Sequence, residues 1–218
     1  MAAPRLLLMD LDNTLIDRAA LFRGWAADFL SRHALLAGDV PWLEEQDGDG
    51  LVPKPQFFER VLARYGLGSS SESLTEEYYE RYPAFTVPPP AETLGCLESL
   101  RDRGWRLGIV TNGPPMQEAV VKNAGLRDVV DTVCVSATVG LRKPDPAIFH
   151  LAAERCGAGA AGNWMLGDSA SHDIAGALAS DMHAAWISRG RKWDENARPP
   201  TLIADSVPRA VQELLELT

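Results

Sequence analysis

Cysteine, positive charge and long apolar runs are all in short supply in this 218-residue chain, and each shortage narrows what the chain can be. The cysteines, Cys96, Cys134 and Cys156, are odd in number, far apart and never in a C-x-x-C pair, so they read as buried free thiols of a reducing compartment and not as a disulfide framework. Lys and Arg number 21 against 30 Asp and Glu, a formal net charge of −9. Affinity for nucleic acid comes mainly from cations that neutralise phosphates, so duplex DNA and RNA are excluded as principal ligands. The first apolar run, Leu6 to Met9, is cut off by Asp10 and is too short for a signal peptide or a membrane span. A cytoplasmic location with no membrane partner is therefore expected. Internal repeats are lacking, and low complexity is confined to Ser69-Ser70-Ser71 and Pro88-Pro89-Pro90.

What is present is ordinary globular material, 46% hydrophobic and 23% charged, in a length that suits one or two domains. Short, continuously apolar runs stand at residues 6–9, 107–110, 133–135, 164–166 and 184–187. Continuous rather than alternating apolarity marks strands covered on both faces, as in parallel sheets. Helical patterns lie between them: Glu92 to Arg103 stopping at Gly104, Pro114-Pro115 opening a helix that ends at Gly125, Pro146 opening another that closes at Gly157, and Val207 to Leu217. This alternation predicts a doubly wound α/β sheet. Between the first strand and the rest, residues 15–87 show only helical patterns (Ala19 to Arg32, Gln56 to Tyr65, Glu72 to Tyr82). They are expected to form a helical insertion, with residues 1–14 and 88–218 as the α/β core.

Ligands of open α/β sheets bind beyond the carboxyl ends of the strands, so the residues there are the site candidates. They are Asp10-Leu11-Asp12-Asn13-Thr14, Thr111-Asn112-Gly113, Lys143-Pro144, and Gly167-Asp168-Ser169 with Asp173 five residues after Asp168. Carboxylates crowded together raise one another's pKa unless a cation compensates them, and a hard divalent ion such as Mg²⁺ suits carboxylates, water and a substrate phosphate. Each group fits a step of phosphoryl transfer: Asp10 as nucleophile, Asp12 as acid and base, Thr111, the amide of Asn112 and Lys143 on the phosphoryl oxygens, and Asp168 on the metal.

These four motifs, in this order, resemble those of the haloacid dehalogenase (HAD) superfamily, with the helical insertion where cap-bearing members carry theirs. The resemblance implies Asp10 as nucleophile, Asp12 as general acid/base, Thr111 as phosphate ligand and Lys143 as the charge-neutralising lysine. It also implies Mg²⁺ on Asp10, the backbone carbonyl of Asp12 and Asp168, with Asp173 behind them. The expected substrate is a small phosphorylated metabolite, and the expected assembly a monomer or homodimer. Residues 15–87 would act as a substrate-choosing lid, with Arg18, Phe22 and Arg23 as candidate contacts.

Other readings remain open at this level. A dehalogenase would need neither Asp12 nor a metal-centred phosphate site, whereas a phosphomutase or a non-enzymatic binding protein would keep the same core residues. A phosphonatase would need a cap lysine for a Schiff base, and the insertion offers only Lys54. Asp173 could simply be an acid at a helix N-terminus. Asp47-Gly48-Asp49-Gly50 lacks the frame of a calcium loop and reads as a flexible loop. His33, His150, His172 and His183 lack ligand spacing; His172 lies inside the last motif and could line the site, though a surface position is expected.

Overall fold

A computed structural model describes residues 4–217. Its centre is a six-stranded, all-parallel sheet in the order β3-β2-β1-β4-β5-β6, with β1 Leu6–Met9, β2 Arg106–Thr111, β3 Thr132–Val135, β4 Trp164–Gly167, β5 His183–Ile187 and β6 Leu202–Ala204. Strand β1 is wholly buried between β2, where Met9 pairs with Ile109, and β4, where Met9 pairs with Leu166. From β1 the chain builds outward on one side through β2 and β3, then on the other through β4, β5 and β6. The end of β1 is thus the switch point where such sheets open a crevice.

By its contacts the chain divides into two compact units, one running through Ile16 and resuming at Pro88, the other Asp17–Val87. Leu15 and Ile16 fall with the sheet because their N–H groups, with that of Thr14, donate to Leu11 O, while Asn13 N–H donates to Ile16 O. The loop after β1 therefore curls back on itself before the helices begin.

The unit Asp17–Val87 contains α1 Arg18–Arg32, α2 Val40–Asp47, α3 Lys54–Tyr65 and α4 Ser71–Arg81. Asp17 caps α1 by accepting from Ala20 N at 2.9 Å. Phe22, Trp25 and Phe29 recur at helical spacing along one face of α1. The Trp25 ring lies 5.3 Å from Phe22, 5.2 Å from Phe29, 6.0 Å from Phe58 and 4.8 Å from Tyr78, which makes an aromatic core. Phe22 is 1% exposed and belongs to that core, so it cannot serve as a substrate contact. Helix α2 carries only two buried positions, Leu43 and Asp47, too few for a readable period.

Asp47 to Gly50 forms a 3₁₀ turn anchored by its first acid and not an open loop. Asp47 is 1% exposed, pairs with Arg18 at 2.8 Å and with Lys54, and accepts from Gly50 N at 2.8 Å. Arg18 also reaches Asp49 at 3.4 Å, so its guanidinium is committed within this unit, while Arg23 is half-exposed beside Glu44 at 3.2 Å.

In the other unit, α5 Ala91–Asp102, α6 Gln117–Asn123, α7 Ser136–Val139, α8 Pro146–Arg155, α9 Ala175–Ala179 and α10 Val207–Glu216 accompany the strands. The period of the strand divides β1 between two cores. Leu6 and Leu8 join Ile148, Phe149 and Ala152 of α8 and Ala177 of α9, whereas Leu7 gathers with Leu166, Ala185 and Ala210, Val211 and Leu214 of α10. Helix α6 begins at Gln117 and not at the prolines, because Pro114 and Pro115 form the turn before it and accept from Gln117 N and Glu118 N at 3.1 Å. Strand β6 is a three-residue edge strand with Ile203 exposed, which hides it from a search for apolar runs. Cys134 and Cys156 are buried free thiols, but Cys96 is only half-buried on α5. Among the described residues no helix is long and apolar enough to cross a membrane.

Asp47 supplies the buried counter-charge for both Arg18 and Lys54, so Asp47→Ala should cost about 3–5 kcal/mol, the usual penalty for breaking a buried pair. Denaturant melts of wild type and variant provide the measurement, and a loss of under about 0.5 kcal/mol would class the cluster with ordinary surface substitutions.

Candidate active site

The side chains at the strand ends are drawn together by one buried cation. Lys143 is 2% exposed and its Nζ lies 2.6 Å from Asp10 Oδ1, 2.7 Å from the carbonyl of Val110 and 2.7 Å from Asp173 Oδ1. The contact with Asp173 is one of charge and not an aligned hydrogen bond. Asp10 and Asp173 are themselves buried, at 7% and 1% exposure.

Local backbone chemistry fixes each member. Asp10 follows β1 with its N–H on Leu166 O at 2.9 Å, and its Oδ2 accepts from Thr14 Oγ at 3.2 Å. Asn112, just past β2, uses both ends of its side-chain amide on the main chain of Lys143: Oδ1 accepts from Lys143 N and Nδ2 donates to Lys143 O, each at 2.9 Å. Its side chain is thus spent on holding the lysine. Thr111 ends β2 at 1% exposure. After β4 the chain makes a π-helical turn, Ala170–Ile174, capped by Ser169, which carries Asp173 back so that its Oδ2 accepts from Ser169 N at 2.9 Å. Gly167 is required there, since a Cβ would collide with the Asp173 carboxylate.

Asp168 is 9% exposed, and its carbonyl accepts from Trp186 Nε1 at 2.8 Å and from Arg191 at 2.7 Å. Its Oδ2 lies 3.0 Å from Arg191 and 3.8 Å from Arg189. Asp12 is not with the other acids: its Oδ2 accepts from Gln117 Nε2 at 2.5 Å. His172 is half-buried, with Nδ1 3.1 Å from Ser169 Oγ.

Electrostatics follow from this packing. Burial pushes the Asp10 carboxyl up to about 6 from 3.8; Lys143 opposes the shift and Asp173 adds to it. Burial works against the charge of Lys143, yet Asp10 and Asp173 outweigh it and hold the ammonium well above the usual lysine range. Asp168 is raised by burial and then by Asp10, against Arg191 and Arg189. His172 is lowered, first by burial and then by Lys143.

Carboxylate oxygens of Asp10, Asp168 and Asp173 lie within 4.8 Å of one another. Three hard oxygen donors, two of them with raised carboxyl pKa values, form a set that a divalent cation would relieve. The donor chemistry therefore fits Mg²⁺. Asp173 already serves Lys143 and Ser169, which suits a place behind the direct ligands better than among them.

Thr14, Gln117 and Arg191 join the predicted residues here. Thr14 lies inside the first motif, four residues after Asp10. Gln117 follows Thr111-Asn112-Gly113 closely enough to be noticed, but no spacing rule joins it to Asp12, 105 residues away. Nothing in the sequence signals that the loop after β5 returns Arg191 to Asp168.

A family model for haloacid dehalogenase-like hydrolases matches residues 4–181. The chain is 32% identical over 151 residues to a phosphoserine phosphatase of Thermus thermophilus, a match spanning 68% of this chain and 60% of that protein. It is 29% identical over 198 residues to a phosphoglycolate phosphatase of Rhodospirillum rubrum, with 86% and 80% covered. It is also 34% identical over 132 residues to an (S)-2-haloacid dehalogenase of Pseudomonas sp., with 60% and 56% covered. Among solved structures, the HAD hydrolase YfnB of Bacillus subtilis, bound to magnesium, superposes with a TM-score of 0.79 at 21% identity over 99% of both chains, a likeness of fold. A sheet that opens beside β1, a buried lysine shared by Asp10 and Asp173, and a family match over most of the sequence agree: the chain belongs to the haloacid dehalogenase-like hydrolases.

Proposed function

We propose that this hydrolase is a Mg²⁺-dependent phosphatase acting on a small phosphomonoester through an aspartyl-phosphate on Asp10, with the helical unit Asp17–Val87 as its cap. The observation that carries the reading is the presence of two differently held carboxylates on one short loop: Asp10 on Lys143 Nζ at 2.6 Å and Asp12 on Gln117 at 2.5 Å.

Asp10 attacks phosphorus with its carboxylate, forming the Asp10–phosphorus bond as the bond to the leaving oxygen breaks. Asp12 gives that oxygen its proton, then takes a proton from the water that hydrolyses the intermediate. Lys143, with Thr111 and the backbone of Asn112, stabilises charge on the phosphoryl oxygens. Asp10, the carbonyl of Asp12 and Asp168 would hold the magnesium ion, with Asp173 behind them, and the ion would supply charge neutralisation at the transferring phosphoryl group. A halide leaves as a stable anion and needs no proton, so a dehalogenase gains nothing from Asp12, whereas an alkoxide leaving from phosphorus does. Phosphoserine, phosphoglycolate and related small esters, the substrates named for its relatives, are the first to screen.

Purified protein screened against a panel of phosphorylated metabolites and 2-chloropropionate should release phosphate and no chloride. Asp10→Asn should abolish turnover, and Asp12→Asn should slow it about 10²- to 10⁴-fold. Chelation should remove activity and Mg²⁺ restore it. Chloride release, or full phosphatase activity in Asp10→Asn, would reject the reading.

The raised Asp10 carboxyl gives an expectation for stability. A folded-state value of about 6 against 3.8 means that the native protein keeps a proton the unfolded chain has lost. That stabilisation is fully present below 3.8 and disappears as pH rises through 6. In chelator, wild type should therefore lose about 1–3 kcal/mol relative to Asp10→Asn between roughly pH 4 and 7. Mg²⁺ should recover stability, and more of it at the higher pH, because the ion competes with the proton. Denaturant melts across that range would reveal the opposite slope if Lys143 outweighed burial.

A further inference from the structure

Gln117 opens α6 at 4% exposure, and its side chain points away from its own helix to donate to Asp12 Oδ2 at 2.5 Å. The other end of the same amide, Oε1, is buried and has no hydrogen-bond partner among the described residues. Buried amides placed for stability alone normally satisfy both ends, because an orphaned acceptor forfeits its hydration. This amide is oriented by the carboxylate at the expense of its own oxygen.

Space for it is made by the second motif. A Cβ on Gly113 would lie 2.7 Å from Gln117 Cγ and 3.1 Å from Nε2, so any side chain at position 113 would push the amide off its line to Asp12. The backbone around Asp12 is already pinned through Leu11 O, which collects the N–H groups of Thr14, Leu15 and Ile16. Gln117 adds a restraint on the carboxylate itself, from a different strand-end loop.

We infer, on the basis of the phosphatase reading above, that Gln117 is a positioning residue for Asp12. With Oδ2 engaged by Nε2–H, the transferable proton is biased to Oδ1. In the phosphorylation step the Asp12 O–H bond breaks as the leaving oxygen takes that proton, while the Asp10–phosphorus bond forms and the ester P–O bond breaks. A misdirected Asp12 would fail most where the leaving group most needs a proton.

The test is the dependence of kcat/KM, which reports through phosphorylation of Asp10, on leaving group. Gln117→Met keeps length and burial but removes the donor. It should lower kcat/KM for phenyl phosphate about tenfold, a part of the 10²–10⁴ that general acid catalysis supplies, and that for p-nitrophenyl phosphate less than about twofold. In an Asp12→Asn background the same substitution should cause no further loss on either ester. Gly113→Ala, which displaces the amide without replacing it, should reproduce the selective loss and serves if Gln117→Met folds poorly. Equal losses on both esters, or a full additional loss in the Asp12→Asn background, would overturn the positioning role while leaving the phosphatase reading in place. Failure of wild type to release phosphate from either ester and from every metabolite of the panel would overturn both.

Discussion

The buried ammonium of Lys143 is the constraint on which the site depends. Three oxygens surround it at 2.6 to 2.7 Å, two as hydrogen-bond acceptors and the third, from Asp173, as an ion pair. Two of them are carboxylates that would repel each other strongly in a dry interior without it. Taking such charges out of water is tolerable only with close geometry and further hydrogen bonds, and the surrounding chain is organised to provide both. Asn112 clamps the lysine backbone on both sides of its Cα, Ser169 N–H holds Asp173, and the bare Gly167 gives Asp173 room to approach. Burial still leaves the carboxyls of Asp10 and Asp168 raised, so the cluster is left short of positive charge.

That shortage links the fold to the chemistry proposed for it. Strand β1 lies at the switch point of the sheet, where β2 and β4 deliver Thr111 and Asp168 to either side of Asp10. A parallel sheet collects these groups at one edge by topology alone. The loop after β5 then brings Arg191 and Arg189 to Oδ2 of Asp168, partly compensating its charge. An acidic chain thus concentrates cations where carboxylates converge.

Much of this was legible before the structure, for reasons that differ by residue. Five strands could be read because burial on both faces makes them continuously apolar, and Pro146 and Gly104 mark helix boundaries by fixed conformational rules. Strand β6 could not, because a three-residue edge strand with Ile203 outward has no pattern to show. Asp47 to Gly50 misled because Asp and Gly favour turns, while the sequence does not reveal that Arg18 and Lys54 bury the first of those acids. Asp10 and Asp168 stand at strand ends, where topology makes them neighbours, whereas Lys143 comes from the loop before α8 and Asp173 from the π-helical turn after β4. Gln117 and Arg191 reach the site only through side-chain direction, which no spacing encodes.

The second motif shows how residue type divides the work within three positions. Thr111 completes β2, Asn112 gives its side-chain amide to the backbone of Lys143, and Gly113 contributes the absence of a Cβ, into which Gln117 extends toward Asp12. Each would be replaceable if it only made a turn, since Asn and Gly are common in turns for local reasons. None is replaceable in the same way here, because Asn112 must offer an acceptor and a donor at once and Gly113 must offer nothing. The motif is better understood as the piece that sets two other motifs, the lysine loop and the Asp10–Asp12 loop, in register with each other. A conservative change within it should then alter the geometry of groups it never contributes to the reaction itself.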